Sequence, residues 1–306
     1  MIPGKKILMT GATGFIGQEL GPKLIAAGYS IKVITRRKAA AEDKLGFEAE
    51  IVEYDLNKIE LPLAEFNDVY AVIHLAGESI DGRWTEKKKQ SILASRESSS
   101  DNLLKNIPDQ VAIVLSVSAQ GIYSHQGDTE LTEEAKPGSD FLADVCKRWE
   151  RPFLQLMAAD RKQVAIFRLG LVLSQKGGAL HKKLPIFKNN LGASIGSGKQ
   201  WVSWIHVDDV CEVFLHALSN KEYSGVFNLV TDHPVRNEEF TQTLCQKLHV
   251  FQLPAVPQFV IKTLFGEMST VLLSSIKVVP QHLKQVGFSY KYPDLEAALS
   301  AEIKST

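Results

Sequence analysis

Cysteine is scarce in this chain. Only Cys146, Cys211 and Cys245 occur in 306 residues, and no two stand in a C-x-x-C spacing. A set so sparse and odd-numbered argues against a disulfide framework and a zinc site, and leaves buried, reduced thiols. Net charge is missing too, since Lys+Arg and Asp+Glu both total 35. No global field exists to hold nucleic acid or an anionic membrane. Long apolar runs are absent as well. FVIKTLFGEMSTVLL comes nearest, but Lys262 and Glu267 interrupt it, short of the roughly 18 residues of a membrane span. The apolar run after MIPGKK is too short for a signal peptide. The expectation is a cytoplasmic protein with no membrane or nucleic-acid partner.

What is present is strand and helix in alternation. KILMT (6–10), IKVIT (31–35), EIVEY (50–54), VYAVIHLA (69–76), VAIVLSVS (111–118), QVAIFRLG (163–170) and GVFNLV (225–230) are rich in Val and Ile. Near-continuous hydrophobicity of this length suits strands buried on both faces of a parallel sheet. Helical patterns fall between them, near 15–27, 86–106 and 140–159. The alternation predicts βαβ units and an α/β, Rossmann-type doubly wound sheet. After Gly170 the pattern changes. Residues 171–204 read as a loop-rich excursion carrying Lys182, Lys183, Lys188 and Lys199, which either attract an anionic substrate or keep a loop solvated. WIHVDDV then starts a helix, with Asp208 or Asp209 as its cap. The expected division is a dinucleotide-binding domain of 1–170 plus 205–230, and a small, mostly helical substrate lobe of 171–204 plus 231–306.

The first strand runs directly into TGATGFIGQEL. Gly11, Gly14 and Gly17 form G-x-x-G-x-x-G between a strand and a helix. Glycine suits a tight turn, a close approach of backbone to pyrophosphate, and close helix–strand packing. Amides at the helix N-terminus then hold phosphate, aided by the helix dipole. The set expected to touch the cofactor here is Gly11, Thr13, Gly14, Phe15, Ile16 and Gly17. A merely structural glycine turn is the competing explanation. About 20 residues on, where an acid would grip a ribose 2′-hydroxyl, stand Thr35, Arg36 and Arg37. Guanidinium groups suit a 2′-phosphate, so NADP(H) is expected rather than NAD. Asp55, just past the third strand, is a candidate adenine contact. Leu75, Ala76 and Gly77 end the fourth strand and would let the backbone approach the cofactor.

With these residues assembled, the chain resembles the extended short-chain dehydrogenase/reductase superfamily. It is most similar to its atypical branch of epimerase-family, NAD(P)-dependent nucleotide-sugar epimerase-like proteins. The matching stretches are TGATGFIG, HLAGESI, SVSAQGIYS, DFLADVCKRWE, RLGLVLSQKGGAL, GSGKQWVSWIHVDDV and YPDLEAAL. The resemblance implies bound NADP(H) and hydride transfer on a carbonyl or hydroxyl carbon, with a nucleotide sugar as a candidate substrate and a homodimer as a candidate assembly. It also implies a Ser after the fifth strand and a Tyr-x-x-x-Lys pair on the next helix. Ser118 matches the Ser, with Ser116 a weaker candidate, and Lys147 matches the Lys. The tyrosine position is Ala143, which has no proton to give.

Each candidate has a plainer explanation. Lys147 is also read as a solvated helix residue, and Ser118 as a strand-end hydroxyl. Tyr123 is the nearest phenol and a candidate replacement acid/base, or a packed aromatic. Arg83 and Trp84 either reach over the cleft or pack on the surface. His206 fixes backbone more readily than it catalyses, and no metal site is expected. The missing tyrosine also admits a different class, a catalytically idle NADPH-binding sensor or scaffold.

Overall fold

The computed structural model describes residues 4–303. Its centre is a seven-stranded sheet. The strands are β1 (Lys6–Thr10), β2 (Ser30–Thr35), β3 (Glu50–Glu53), β4 (Val69–His74), β5 (Ile113–Ala119), β6 (Gln163–Leu169) and β7 (Gly225–Leu229). Their spatial order is β7-β6-β5-β4-β1-β2-β3, and every pairing is parallel. Each of the seven apolar runs is one of these strands, within two residues at either end. Ile7, Leu8 and Met9 on β1 are fully buried, as a strand covered on both faces requires.

Among the described residues, eight helices of eight or more residues surround it. They are α1 (Phe15–Ala26), α2 (Glu86–Leu104), α3 (Phe141–Ala158), α4 (Gly178–Lys188), α5 (Val207–Ala217), α6 (Asn237–Leu248), α7 (Gln258–Phe265) and α8 (Leu295–Glu302). α1 packs on α5, and α2 packs on α3. The strand order reverses between β1 and β4, which opens a crevice at their carboxyl ends. Among the described residues no helix is long and apolar enough to cross a membrane.

Two expectations need correction. The span 171–204 is not loop-rich, since it contains α4 and three short strands. α4 buries Leu180, Leu184 and Phe187, a 4-3 spacing that forms one helical face. Two lysines and Pro185 masked that spacing in the sequence. The buried face outweighs the proline, whose missing N–H would have bonded one turn back. The second correction concerns the cap of α5. His206 Nδ1 accepts from the Asp208 amide at 3.1 Å, so the histidine is the cap.

Asp209 instead reaches across the sequence. Its carboxylate, fully buried, accepts the amides of Lys291 at 2.6 Å and Tyr292 at 3.2 Å. His206 Nε2 lies 3.0 Å from Glu302 on α8. Together they clamp the C-terminal segment to the sheet domain. Asp209→Ala leaves a part-buried pair of amides without their acceptor and is expected to cost about 3 kcal/mol. Urea unfolding measures this, and a loss within about 0.5 kcal/mol, the range of ordinary surface changes, removes the clamp.

A cofactor cleft beside a closed polar network

The cradle is built by backbone. Gly11 has φ +69°, and a Cβ there would stand 2.6 Å from the Leu75 carbonyl carbon and 2.7 Å from the Ala76 amide nitrogen. A Cβ on Gly17 would stand 2.6 Å from Ala12 Cα. The ends of β1, β4 and α1 therefore meet at distances only glycine permits. Gly14 precedes α1 without a side-chain cap, so the first amides of that helix are left for a ligand.

The cleft is lined by Gly11, Thr13 and Gly14, by Thr35, Arg36 and Arg37, and by Leu75, Ala76 and Gly77. The wall also includes Lys44, Tyr54, Asn57, Glu78, Ser95 and Ser99. Arg36 and Arg37 are exposed. Asp55 is not part of that lining; its carboxylate accepts from the Asn57 amide at 3.2 Å and pairs with Lys58 at 3.3 Å. Phe15, Ile16, Gly17 and Lys147 also lie outside the wall.

A buried pillar supports the cradle, with no clear signal in the sequence. Thr10 Oγ1 accepts from the Ala76 amide at 3.3 Å and lies 2.8 Å from His74 Nδ1. Burial, then the field of Arg96, lowers the His74 pKa from 6.5 to about 3. The folded state thus holds His74 neutral, and unfolding releases it to take a proton. Its stabilisation is complete above pH 6.5 and declines toward pH 3, by up to about 1.4 kcal/mol per unit. The difference in stability between wild type and His74→Gln should shrink across that window. A constant difference from pH 7 to pH 4 contradicts it.

The hydroxyls expected to act on substrate sit elsewhere. Ser118 Oγ donates to Glu150 Oε1 at 2.6 Å. Arg168 grips the same carboxylate with two bonds, at 2.9 and 2.8 Å, and donates to Tyr123 Oη at 2.9 Å. Tyr123 Oη donates to Asn228 Oδ1 at 2.7 Å. Burial raises the Tyr123 pKa against the pull of Arg168. Ser118 is 1% exposed and Tyr123 0%, so both are buried in this network, whose Glu150 and Arg168 also border an outer groove. Ser116 Oγ donates to the Val117 carbonyl. Lys147 is exposed, with its amine 3.4 Å from the Gly138 carbonyl, and lines an outer groove with Pro137, Arg151 and Leu154.

On α3 the residues that meet the end of β5 are one position earlier than Ala143 and Lys147. Cys146 Sγ donates to the Ala119 carbonyl at 3.7 Å. A Cβ on Gly121 would stand 3.3 Å from Leu142 Cβ. Burial, then Glu150, pushes the Cys146 thiol up to about 12. Ala143 is fully buried. Leu142 has no ionisable group, and the raised Cys146 thiol stays protonated at neutral pH and is a weaker acid than usual.

The comparisons with known proteins can be set on this geometry. Residues 7–229 match the description "NAD dependent epimerase/dehydratase family". The chain belongs to that family. Residues 256–302 match a domain of unknown function, DUF1731. The chain is 36% identical over 307 residues to the chloroplastic epimerase family protein SDR39U1 homolog of Arabidopsis thaliana, covering 96% of this chain and 86% of that one. It is 34% identical to the epimerase family protein SA0724 of Staphylococcus aureus, covering 98% and 99%. Among solved structures, human epimerase family protein SDR39U1 with NADPH aligns with TM-score 0.86 at 29% identity, covering 98% of this chain and 100% of that one. A nucleoside-diphosphate sugar epimerase from Corynebacterium glutamicum aligns at TM-score 0.78 and 28% identity, covering 99% and 58%.

For an epimerase-family chain, the remaining candidates are structural ties. Arg83 donates to the carbonyls of Thr263 and Leu264 on α7. Trp84 donates to the Ile80 carbonyl at 2.7 Å and meets Phe141 edge-on. Lys182 pairs with Asp81. The Arg83 and Lys182 contacts join the loop after β4 to the C-terminal half of the chain, and Trp84 ties it to itself and to α3. Among the described residues no group of His, Cys, Asp and Glu is arranged to hold a metal ion.

Proposed function

We propose that this epimerase-family chain binds NADP(H) in the crevice between β1 and β4 and serves hydride transfer on a carbonyl or hydroxyl carbon, with a nucleotide-linked sugar as the substrate class. The observation that carries the reading is the glycine cradle with Arg36 and Arg37 at its far rim. When bound, the nicotinamide supplies the hydride donor or acceptor. The amides after Gly14 hold the pyrophosphate, and Arg36 and Arg37 hold the 2′-phosphate. The lobe of 171–204 and 231–306 would receive the substrate. The human relative crystallised with NADPH supports the cofactor, and the Corynebacterium relative supports the substrate class. A cytoplasmic setting and a homodimer belong to the same proposal.

Arg36→Ala combined with Arg37→Ala is expected to weaken NADPH by about 100-fold and leave NADH within about twofold. Calorimetry measures both. Equal losses for the two nucleotides remove the 2′-phosphate role.

A second reading, an idle NADPH-binding sensor or scaffold, is favoured by the lack of a proton donor at Leu142 and Ala143 and the weak acidity of Cys146. Purified protein mixed with NADPH and a panel of nucleotide sugars and carbonyls separates the two. Robust oxidation or epimer formation defeats the sensor, and cofactor-dependent partner capture without turnover defeats the enzyme.

A further inference from the structure

Arg96 on α2 is a half-buried cation whose counter-ion is missing. Its Nη1 donates to the Ile92 carbonyl at 3.1 Å and to Ser95 Oγ at 3.4 Å. Its guanidinium stacks on Trp149, 4.9 Å from the ring centre. Among the described residues its Nε and Nη2 meet no hydrogen-bond acceptor, and no carboxylate lies within salt-bridge distance. The nearby Glu78 is held by Lys88 at 3.0 Å. The contrast with Arg168, locked onto Glu150 by two hydrogen bonds, is direct. A guanidinium partly withdrawn from water without an anion is costly, and burial lowers its pKa; its unpartnered nitrogens keep contact with solvent.

Its position says where the anion belongs. A Cβ on Gly77 would stand 3.2 Å from both Arg96 Cζ and Nη2. Gly77, Ser95 and Ser99 line the cleft. Arg96 does not itself line the cleft; its free edge lies beside Gly77, behind the stretch of wall that Glu78, Ser95 and Ser99 share, away from the rim that carries Arg36 and Arg37. A planar fork with spare donors fits two oxygens of one phosphate or carboxylate.

We propose that Arg96 is the anion-binding residue at the inner end of the cleft, taking a phosphate or carboxylate oxygen of the bound cofactor or substrate. This rests on the NADP(H) reading above. It gives the inner end of the cleft the cation that Lys147, facing the outer groove, does not supply.

The test is calorimetry on wild type, Arg96→Gln and Arg96→Lys, with NADPH, adenosine 2′,5′-bisphosphate and inorganic phosphate as probes. Melting curves confirm that each variant is folded. Arg96→Gln should weaken NADPH by about 10-fold or more and leave the bisphosphate, which lacks the pyrophosphate and nicotinamide arm, within about twofold. That result places the anion on the cofactor. If NADPH is unchanged but NADPH-saturated wild type binds phosphate and Arg96→Gln does not, the anion is the substrate's. Arg96→Lys keeps the charge without the fork and should lose less than Arg96→Gln in either case. Unchanged binding of all three probes in Arg96→Gln overturns the proposal. Failure of wild type to bind NADPH overturns the cofactor reading instead, and phosphate binding to the free protein then decides the fate of Arg96.

Discussion

Arg168→Met should lower stability by about 3–5 kcal/mol, the cost of breaking a buried ion pair from one side. Arg168 is 6% exposed and Glu150 1%. The substitution removes both hydrogen bonds to the Glu150 carboxylate and leaves that charge buried with only the Ser118 hydroxyl beside it. It also removes a donor from Tyr123 Oη and one from the Glu133 carbonyl. The double variant Arg168→Met with Glu150→Gln should recover a large part of the loss, because no unpaired charge remains. Urea unfolding of the two variants reads the difference. Should the single variant cost less than about 1 kcal/mol, the pair is solvated and not buried as described. The same network bears on chemistry. Ser118 and Tyr123 spend their hydrogen bonds on fixed protein partners, so their first task is to join β5, β6 and α3.

The parallel sheet and the glycine cradle were legible because their signals are local. Seven short Val/Ile-rich runs and a glycine triplet after the first of them are visible in any window of ten residues. The rotation of α3 was not legible. The pairs 142/146 and 143/147 share the same four-residue spacing, and spacing alone cannot choose between them. The choice is made by Glu150, whose bond to Arg168 turns the helix so that Leu142 and Cys146 meet the end of β5. That bond spans 18 residues and two elements. The C-terminal clamp is more distant still, with Asp209 and Lys291 82 positions apart. That His206 fixes backbone was legible, but not that it is the cap of α5. Its Nδ1 caps the helix as an aspartate oxygen would, and two aspartates beside it looked better suited. Arg96 lay inside the helical stretch ILASRESSS, where an arginine looks solvated. Only its missing counter-ion sets it apart, and a missing partner is a property of the fold.

Gly11→Ala is expected to remove NADPH binding, with affinity falling by about 100-fold or more as the backbone is pushed out of the cradle. Two costs act together. The residue sits at φ +69°, where an L side chain pays about 1–2 kcal/mol. The added methyl would also stand 2.6 Å from the Leu75 carbonyl carbon and oxygen. Those atoms belong to the backbone after β4, so no side-chain rotation relieves the clash. The turn must move away from β4, which displaces the amides at the start of α1 and the wall formed by Leu75, Ala76 and Gly77. Gly82→Ala is the control. Gly82 has φ +87° and nothing within 4 Å of its added Cβ, so it carries the backbone cost without the clash. It should lose about 1 kcal/mol of stability and keep NADPH affinity within about twofold. Calorimetry on both, beside melting curves, separates strain from displacement. If Gly11→Ala and Gly82→Ala bind NADPH equally well, the cradle does not hold the phosphates. If only Gly11→Ala fails, the close approach of β1 to β4 is what shapes the phosphate site.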